Sequence, residues 1–253
     1  MAFLECRFNS IALQKAVSFN VIIPVNDQPA EERRIMYLLH GLSDDASMWF
    51  RRTSIERYAD ACNMMVVMPD GGRSFYTDMK YGLKYEEYIA KELPSLMAKF
   101  FRFSTAREDT FIAGNSMGGY GALKLALKYP DTYSACGAFS AVPDPMKLYT
   151  MYPSVSKELG NIFGSIDEFR YSDNDVYFLS EKRITENNFP KLYLCCGKGD
   201  FLNKENCRYK EYLENENVDF TADLEDPGDH EWGFWDNKIR QFIRFLPISR
   251  NRV

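Results

Sequence analysis

Residues 111–123 decide the fold of this chain and read Phe-Ile-Ala-Gly-Asn-Ser-Met-Gly-Gly-Tyr-Gly-Ala-Leu. The apolar run 110–113 is typical of the end of a buried strand, and residues 117–129 carry apolar side chains at helical spacing. Between the two lies a Gly-x-Ser-x-Gly pentapeptide at 114–118, whose glycines leave room for a very tight turn. This order predicts a nucleophile elbow, in which Ser116 has a strained backbone and projects its hydroxyl outward.

The overall composition indicates a globular protein with a substantial core. The chain has 253 residues, of which 45% are hydrophobic and 15% aromatic, enough for one large domain or two small ones. Its net charge of -5 argues against nucleic acid or an anionic membrane surface as a partner. No run of about 18 apolar residues is present, so we expect no membrane-spanning helix. The first eight residues have neither a basic leader nor an apolar signal core, which favours a soluble, cytoplasmic protein.

Cysteines and histidines are arranged unfavourably for a metal site. The six cysteines form no C-x-x-C pair, and those in apolar runs are predicted to be small core residues: Cys62, Cys136, Cys195 and Cys196. His40 and His230 are the only histidines, too few for a histidine-rich metal centre. We therefore expect neither a metal nor an organic cofactor.

Strand and helix patterns alternate along the chain. Apolar runs predict strands at 2–8, 16–24, 35–39, 64–68, 110–113, 133–139, 191–196 and 218–224. Helical spacing predicts helices at 53–61, 85–101, 117–129, 204–213 and 234–245. Such alternation predicts an α/β fold with a mostly parallel central sheet and helices on both faces. The first two strands share a short turn and should be antiparallel, and Pro94 is either a kink or a break in its helix.

Residues 140–190 contain scattered proline, glycine and aromatic residues without a clear period. A segment of this length is too long for an ordinary connection between a strand and a helix. We interpret it as a cap-like insertion over the site, within a single domain that spans 1–253. A separate second domain is disfavoured because the segment lacks an apolar periodicity of its own.

A serine hydroxyl needs a base within hydrogen-bond reach, and only two histidines can supply it. His230 lies in a loop between the last predicted strand and the final helix. Such loops collect at the carboxyl ends of parallel strands, where the elbow at Ser116 also lies. His40 also follows a strand, but the Gly-Leu that comes after it indicates a different role. We predict that His230 is the base and that His40 shapes its own loop.

The third catalytic residue must orient the imidazole and stabilise its charged form. Asp200 directly follows the strand predicted at 191–196, which gives the chain order Ser, Asp, His. We therefore favour Asp200. Four other aspartates remain as alternatives, and most aspartates in such loops cap turns: Asp175, Asp223, Asp226 and Asp229.

The oxyanion that forms on the substrate needs two donors. The backbone N–H of Met117 becomes available at the helix N-terminus of the elbow. The second should be the N–H of Leu42, in the loop after the strand at 35–39. Aromatic residues also fall near this edge, and we expect Trp49, Tyr76 and Trp232 to contact substrate, with ordinary core packing as the alternative.

Several motifs together resemble the esterase D family of α/β-hydrolases, closest to its tributyrin or acetyl esterase branch. They are Leu39-His40-Gly41-Leu42, Trp49, Tyr76-Thr77-Asp78, the glycine-rich stretch 114–121, residues 197–202 and His230-Glu231-Trp232. The match spans nearly the whole chain, and relatives include S-formylglutathione hydrolases and feruloyl and acetylxylan esterases. The resemblance implies an α/β-hydrolase fold, Ser116, Asp200 and His230 as a triad, and Leu42 and Met117 at the oxyanion hole.

The function implied is that of a serine carboxylesterase hydrolysing short acyl esters of the acetyl or feruloyl type, such as an acylated sugar or a phenolic ester. A thioesterase of the S-formylglutathione hydrolase type and an acyltransferase would use the same triad, and both remain open. A catalytically silent binding module is disfavoured because no catalytic residue is missing. The sequence leaves open whether the chain forms a homo-oligomer.

Overall fold

The computed structural model describes residues 1–247, apart from the side chain of Met151. Within them, eight strands form one sheet in the order β1-β2-β4-β3-β5-β6-β7-β8. The strands are β1 Ala2–Ser10, β2 Lys15–Ile23, β3 Arg34–Leu39, β4 Met64–Pro69, β5 Thr110–Asn115, β6 Ala135–Phe139, β7 Lys191–Cys195 and β8 Thr221–Asp223. β2 is antiparallel to both β1 and β4, and the remaining neighbours are parallel. The mostly parallel sheet and its antiparallel first pair are confirmed.

Helices cover both faces of the sheet. They are α1 Met48–Arg52, α2 Ile55–Asp60, α3 Tyr85–Glu87, α4 Leu93–Phe100, α5 Met117–Lys128, α6 Pro145–Met151, α7 Pro153–Phe163, α8 Ile166–Phe169, α9 Val176–Thr185, α10 Asn203–Asn215 and α11 Trp232–Phe245. Successive side chains of β3 point to opposite faces of the sheet. Tyr37 therefore packs in the core beneath α5, and Leu38 packs in the core beneath α2 and α11. Both strand faces are therefore buried, as in a doubly covered parallel sheet.

The helix expected at 85–101 is neither simply kinked nor broken at Pro94. A π-helical turn, Tyr88–Glu92, connects α3 to α4, and Pro94 lies in the first turn of α4. Proline lacks an N–H and clashes with the carbonyl four residues earlier. The wider π turn places its irregular hydrogen bonding just where proline would otherwise break the ladder.

Residues 140–190 are more regular than the sequence pattern indicates, because they contain α6, α7, α8 and α9. Pro145 and Pro153 lie at the starts of α6 and α7, where proline is well tolerated. Asp144 and Asp175 accept hydrogen bonds from backbone N–H groups at the starts of α6 and α9. α6 and α8 are too short to show an apolar period, whereas α7 carries Val155, Leu159 and Ile162 at helical spacing, a signal that the sequence interpretation missed.

The turn between β5 and α5 has the strained geometry expected of a nucleophile elbow. Ser116 has φ 55° and ψ -117°, a conformation that non-glycine residues rarely adopt. A methyl group on Gly118 would lie 2.3 Å from the Leu39 backbone oxygen, and one on Gly114 would lie 2.5 Å from the Gly118 oxygen. The start of α5 therefore touches the end of β3 without an intervening side chain.

A buried ion pair holds α5 against the segment that precedes α4. Lys124 is fully buried, and its Nζ donates to Glu86 Oε2 at 2.8 Å and to the Thr77 hydroxyl at 2.9 Å. Lys128 also pairs with Glu86, at 2.8 Å. Burial alone would raise the pKa of Glu86, but Lys124 and Lys128 outweigh it and lower that pKa to about 2.

We predict that Gly118→Ala destabilises the protein by more than about 2 kcal/mol, because backbone atoms cannot move aside for the added methyl group. The control is Gly160→Ala in α7, where the nearest atom to the added methyl group is 3.6 Å away. That variant should be neutral, or more stable by up to about 1 kcal/mol. Urea unfolding measures both changes. Equal changes would mean that the contact between α5 and β3 is not under steric constraint.

We predict that Glu86→Gln lowers the free energy of unfolding at pH 7 by about 3 kcal/mol, because it leaves Lys124 buried without its partner. The pKa of Glu86 is lower in the folded protein than in the unfolded chain. The ionised carboxylate therefore contributes fully to the free energy of unfolding above about pH 4.5, and this contribution is lost as the pH falls towards about 2. The difference from wild type should therefore shrink between these pH values in urea unfolding. Glu87→Gln, at a half-exposed neighbour, should change stability by less than about 0.5 kcal/mol at either pH. A pH-independent difference for Glu86→Gln would contradict the assignment.

Candidate active site

Three side chains from distant parts of the sequence meet at the carboxyl edge of the sheet. Ser116 lies between β5 and α5, Asp200 follows β7, and His230 lies between β8 and α11. The imidazole Nδ1 is 2.9 Å from Asp200 Oδ2, and its Nε2 is 3.0 Å from Ser116 Oγ. An ionised carboxylate can only accept, so Nδ1 carries the proton and Nε2 is free to accept one from the serine hydroxyl. The structure thus brings together the three residues predicted for the triad.

Asp200 is held in its charged form by its surroundings. Burial would raise the pKa of this carboxyl, but hydrogen bonds from His230, the Leu202 N–H and the Ser140 hydroxyl lower it below its usual value. The Leu202 N–H donates to Asp200 Oδ1 at 2.8 Å. Ser140 in turn accepts a hydrogen bond from the Trp235 indole at 3.1 Å. Asp200 therefore stays ionised at neutral pH and can stabilise an imidazolium.

Two aromatic rings pack against the imidazole of His230. The Trp235 ring meets it edge-on with centroids 4.9 Å apart, and the Phe201 ring lies at 4.7 Å. Trp235 is buried, whereas Phe201 is largely exposed. The two rings restrict rotation of the imidazole and leave its Nε2 directed at Ser116.

Two backbone N–H groups flank the serine. Those of Leu42 and Met117 donate no hydrogen bond to any residue in the described range 1–247. The peptide that carries the Leu42 N–H also carries the Gly41 carbonyl, which accepts a hydrogen bond from His40 Nδ1 at 2.8 Å. Because the peptide is planar and trans, this bond fixes the direction of the Leu42 N–H. Both groups can therefore stabilise an oxyanion.

His40 is buried and fully engaged in shaping its loop. Its Nε2 accepts from the Gly71 N–H at 2.9 Å while its Nδ1 donates to Gly41, which requires the neutral imidazole. The hydroxyl of Tyr76 donates to the His40 carbonyl at 2.8 Å. His40 therefore acts on the backbone of the loop, as the sequence indicates.

The alternative aspartates are engaged elsewhere. Asp175 caps α9 by accepting from the Tyr177 N–H at 3.1 Å. Asp223 and Asp226 both accept from the buried Nζ of Lys238, and Asp229 lies beside Gly199. Within residues 1–247, Asp200 is thus the carboxylate that hydrogen-bonds the His230 imidazole.

Two of the three aromatic residues expected to bind substrate lie in the core instead. Trp49 is buried, and its indole N–H donates to the Leu39 carbonyl at 2.9 Å. Tyr76 is also buried and holds the His40 carbonyl. Trp232 is partly exposed and contacts both Trp49 and Trp235, with centroids 5.1 Å apart in each case. None of the three lines the cavity at the serine. The polar atoms of Trp49 and Tyr76 are directed at backbone carbonyls instead.

An apolar cavity of about 360 Å³ opens onto the serine. It is lined by Leu42, Phe75, Ser116, Met117, Val142, Leu148, Tyr152, Ser154, Val155, Phe201, Leu202 and His230. Five of these residues come from the segment 140–190, where the sequence shows no motif. Phe201 could have been found from its place next to Asp200 at a strand end, whereas the residues of the insertion carry no such signal.

Neither a metal cluster nor a membrane-spanning helix is found in the part of the chain that the structure describes. Residues 1–247 contain no group of three or more His, Cys, Asp or Glu side chains placed to hold a metal ion. None of the helices described here has both the length and the apolar character needed to cross a membrane.

Comparison with known proteins supports an ester hydrolase. A family model described as "Putative esterase" matches residues 10–246. An acetyl esterase of Caldicellulosiruptor saccharolyticus is 32% identical over 97% of this chain and 98% of its own length. Among solved structures, the Staphylococcus aureus fluorophosphonate-binding serine hydrolase FphF is 34% identical, with a TM-score of 0.89 and 97% and 98% of the two chains covered. The S-formylglutathione hydrolase FrmB of the same species is also 34% identical, with a TM-score of 0.86 and the same coverage.

These similarities extend along almost the whole chain, and the sheet order and elbow geometry agree with them. The predicted α/β-hydrolase fold is confirmed. The chain therefore belongs to the esterase D family of α/β-hydrolases and is a carboxylic ester hydrolase.

Proposed function

We propose that the protein is a serine carboxylesterase acting on short acyl esters of the acetyl or feruloyl type. The observation that carries this proposal is the continuous chain of contacts from Asp200 through His230 to Ser116, ending beside two free backbone N–H groups. The acyl group would occupy the part of the apolar cavity that is lined by α6, α7 and the residues around them, and the carbonyl oxygen would accept from the Leu42 and Met117 N–H groups.

The mechanism has two halves. His230 Nε2 takes the proton of the Ser116 hydroxyl as the oxygen attacks the ester carbonyl, and the imidazolium then protonates the departing alcohol. Water attacks the acyl-enzyme with the same base assisting, which releases the acid and restores Ser116. Asp200 keeps the imidazole oriented through both halves.

The lack of positively charged side chains among the described residues of the cavity wall favours an ester substrate over a glutathione thioester. No lysine or arginine lines the cavity in the part of the chain that the structure describes. Glutathione carries two carboxylates, and recognition of carboxylates normally uses such cations. A thioesterase of the S-formylglutathione type is therefore the second candidate.

An acyltransferase would differ only in that an alcohol, in place of water, attacks the acyl-enzyme. Product analysis with added alcohol therefore distinguishes an acyltransferase from a hydrolase.

We also propose that residues 140–190 cap the site within a single domain. β7 and β8 continue the same sheet after this segment, and five of its residues line the cavity. Arg73 connects the cap to the site, because its guanidinium binds Glu158 of α7 through two bonds and donates to the Ser43 hydroxyl at 2.9 Å. Ser43 follows Leu42 directly, so this bridge joins α7 to residues 40–43, which we call the oxyanion loop.

We predict that Ser116→Ala abolishes hydrolysis of nitrophenyl acetate and labelling by a fluorophosphonate probe, with the fold retained by circular dichroism. His230→Ala should lower kcat at least about 10⁴-fold, because the base is lost. His40→Ala should lose only about 10²-fold, the usual effect of one misplaced oxyanion donor. Equal losses for the two histidine variants would contradict the assignment of the base.

We predict that Arg73→Ala and Glu158→Ala each lower kcat/KM for nitrophenyl butyrate by about 2- to 10-fold, because α7 and the oxyanion loop are no longer joined. The double variant should lose no more than either single variant, since both changes break one bridge. Lys80→Ala is the control, because it removes a half-exposed ion pair with Glu168 in the same insertion. Additive losses, or an equal loss in Lys80→Ala, would argue against a bridge between cap and site.

A further inference from the structure

We propose that Phe201 forms the binding surface for the alcohol part of the ester, and that the alcohol it selects is aromatic, a phenol. The inference rests on the proposed function, because it assumes that Ser116 is acylated and that His230 protonates the departing oxygen. It extends that function by naming the leaving group and the residue that recognises it.

Phe201 lies beside the catalytic imidazole at the mouth of the cavity. Its ring is 4.7 Å from the imidazole of His230, and the residue is 64% exposed and lines the cavity. Trp235, the other ring against the imidazole, is 4% exposed. Of these two rings, only that of Phe201 can present a free face to a ligand.

The chemistry of the reaction fixes the side of the cavity on which the alcohol lies. The departing oxygen must lie within hydrogen-bond reach of His230 Nε2, since that atom returns the proton. The carbonyl oxygen is meanwhile directed at the N–H groups of Leu42 and Met117. The carbon attached to the departing oxygen therefore lies on the imidazole side of the cavity, next to Phe201.

The cavity wall around Phe201 suits an aromatic alcohol better than a sugar. A sugar would need donors and acceptors for its hydroxyl groups. Among the described residues that line the cavity, the polar side chains apart from Ser116 and His230 are the hydroxyls of Tyr152 and Ser154. Leu202 extends the apolar surface beside Phe201. An aromatic ring can pack against Phe201 in an offset or edge-on arrangement, which a small alkyl alcohol cannot do.

The experiment compares acetate esters that form the same acyl-enzyme. Phenyl, cyclohexyl and ethyl acetate are hydrolysed by wild type, Phe201→Ala and Phe201→Leu, with acid release followed by pH-stat. Phe201→Ala should lower kcat/KM for phenyl acetate about 5- to 20-fold more than it lowers kcat/KM for ethyl acetate, because any lost support of the imidazole affects all three esters alike and cancels in this ratio. The loss for cyclohexyl acetate should lie between the two, and Phe201→Leu should lose less than Phe201→Ala.

Tyr171 provides a matched control for Phe201, because it is an aromatic residue on the surface away from the site. It is 77% exposed and does not line the cavity, so Tyr171→Ala should change none of the three rates. An equal loss for all three esters in Phe201→Ala would mean that Phe201 only supports the imidazole, which overturns the proposal. An equal loss for phenyl and cyclohexyl acetate would overturn the preference for an aromatic alcohol.

The Ser116→Ala variant distinguishes a failure of the proposed function from a failure of the role given to Phe201. If Ser116→Ala still hydrolyses phenyl acetate, the proposed function itself fails. If it is inactive while Phe201→Ala shows no dependence on the leaving group, only the role of Phe201 fails.

Discussion

The contact between the start of α5 and the end of β3 is the constraint on which the site depends. A methyl group on Gly118 would lie 2.3 Å from the Leu39 oxygen and 2.7 Å from the His40 oxygen. Because no side chain separates the two elements, the N-terminus of α5 reaches the loop that carries Leu42. The N–H groups of Leu42 and Met117, which we propose as the oxyanion donors, come from different elements, and this contact brings those elements together beside Ser116.

A second set of contacts joins the loop that carries Asp200 to the loop that carries His230. The Lys198 and Gly199 N–H groups donate to the carbonyls of Asp226 and Gly228, at 3.0 and 2.9 Å. The fully buried Lys238 of α11 binds Asp226 in the same loop. The relative positions of Asp200 and His230 are therefore determined by backbone pairing and a buried cation, not by the short contact between their side chains alone.

Sequence patterns predict the sheet and the three residues that meet at its edge, because buried strands and the elbow depend on local spacing and on glycine sterics. They are less informative where tertiary contacts decide the outcome. Trp49 and Tyr76 lie near the correct loops in sequence, yet their side chains turn inward to bind backbone carbonyls. In 140–190, the helices α6, α8 and α9 begin at capping side chains and are too short or too polar to show a clear period, whereas the apolar spacing of α7 is a signal that was missed. Pro94 is accommodated by a π turn that no residue pattern specifies.

The residues at the serine and the residues of the cavity wall are held in place by different kinds of contact. Ser116 directly follows β5, whereas Asp200 and His230 lie in the loops after β7 and β8, which backbone hydrogen bonds join to each other. Much of the rest of the cavity wall comes from α6, α7 and the residues around them, whose link to the oxyanion loop includes the partly exposed pair Arg73 and Glu158. An exposed ion pair is a weak restraint compared with a buried strand. We therefore expect substitutions in this wall to change the shape of the cavity more readily than the relative positions of Ser116, Asp200 and His230.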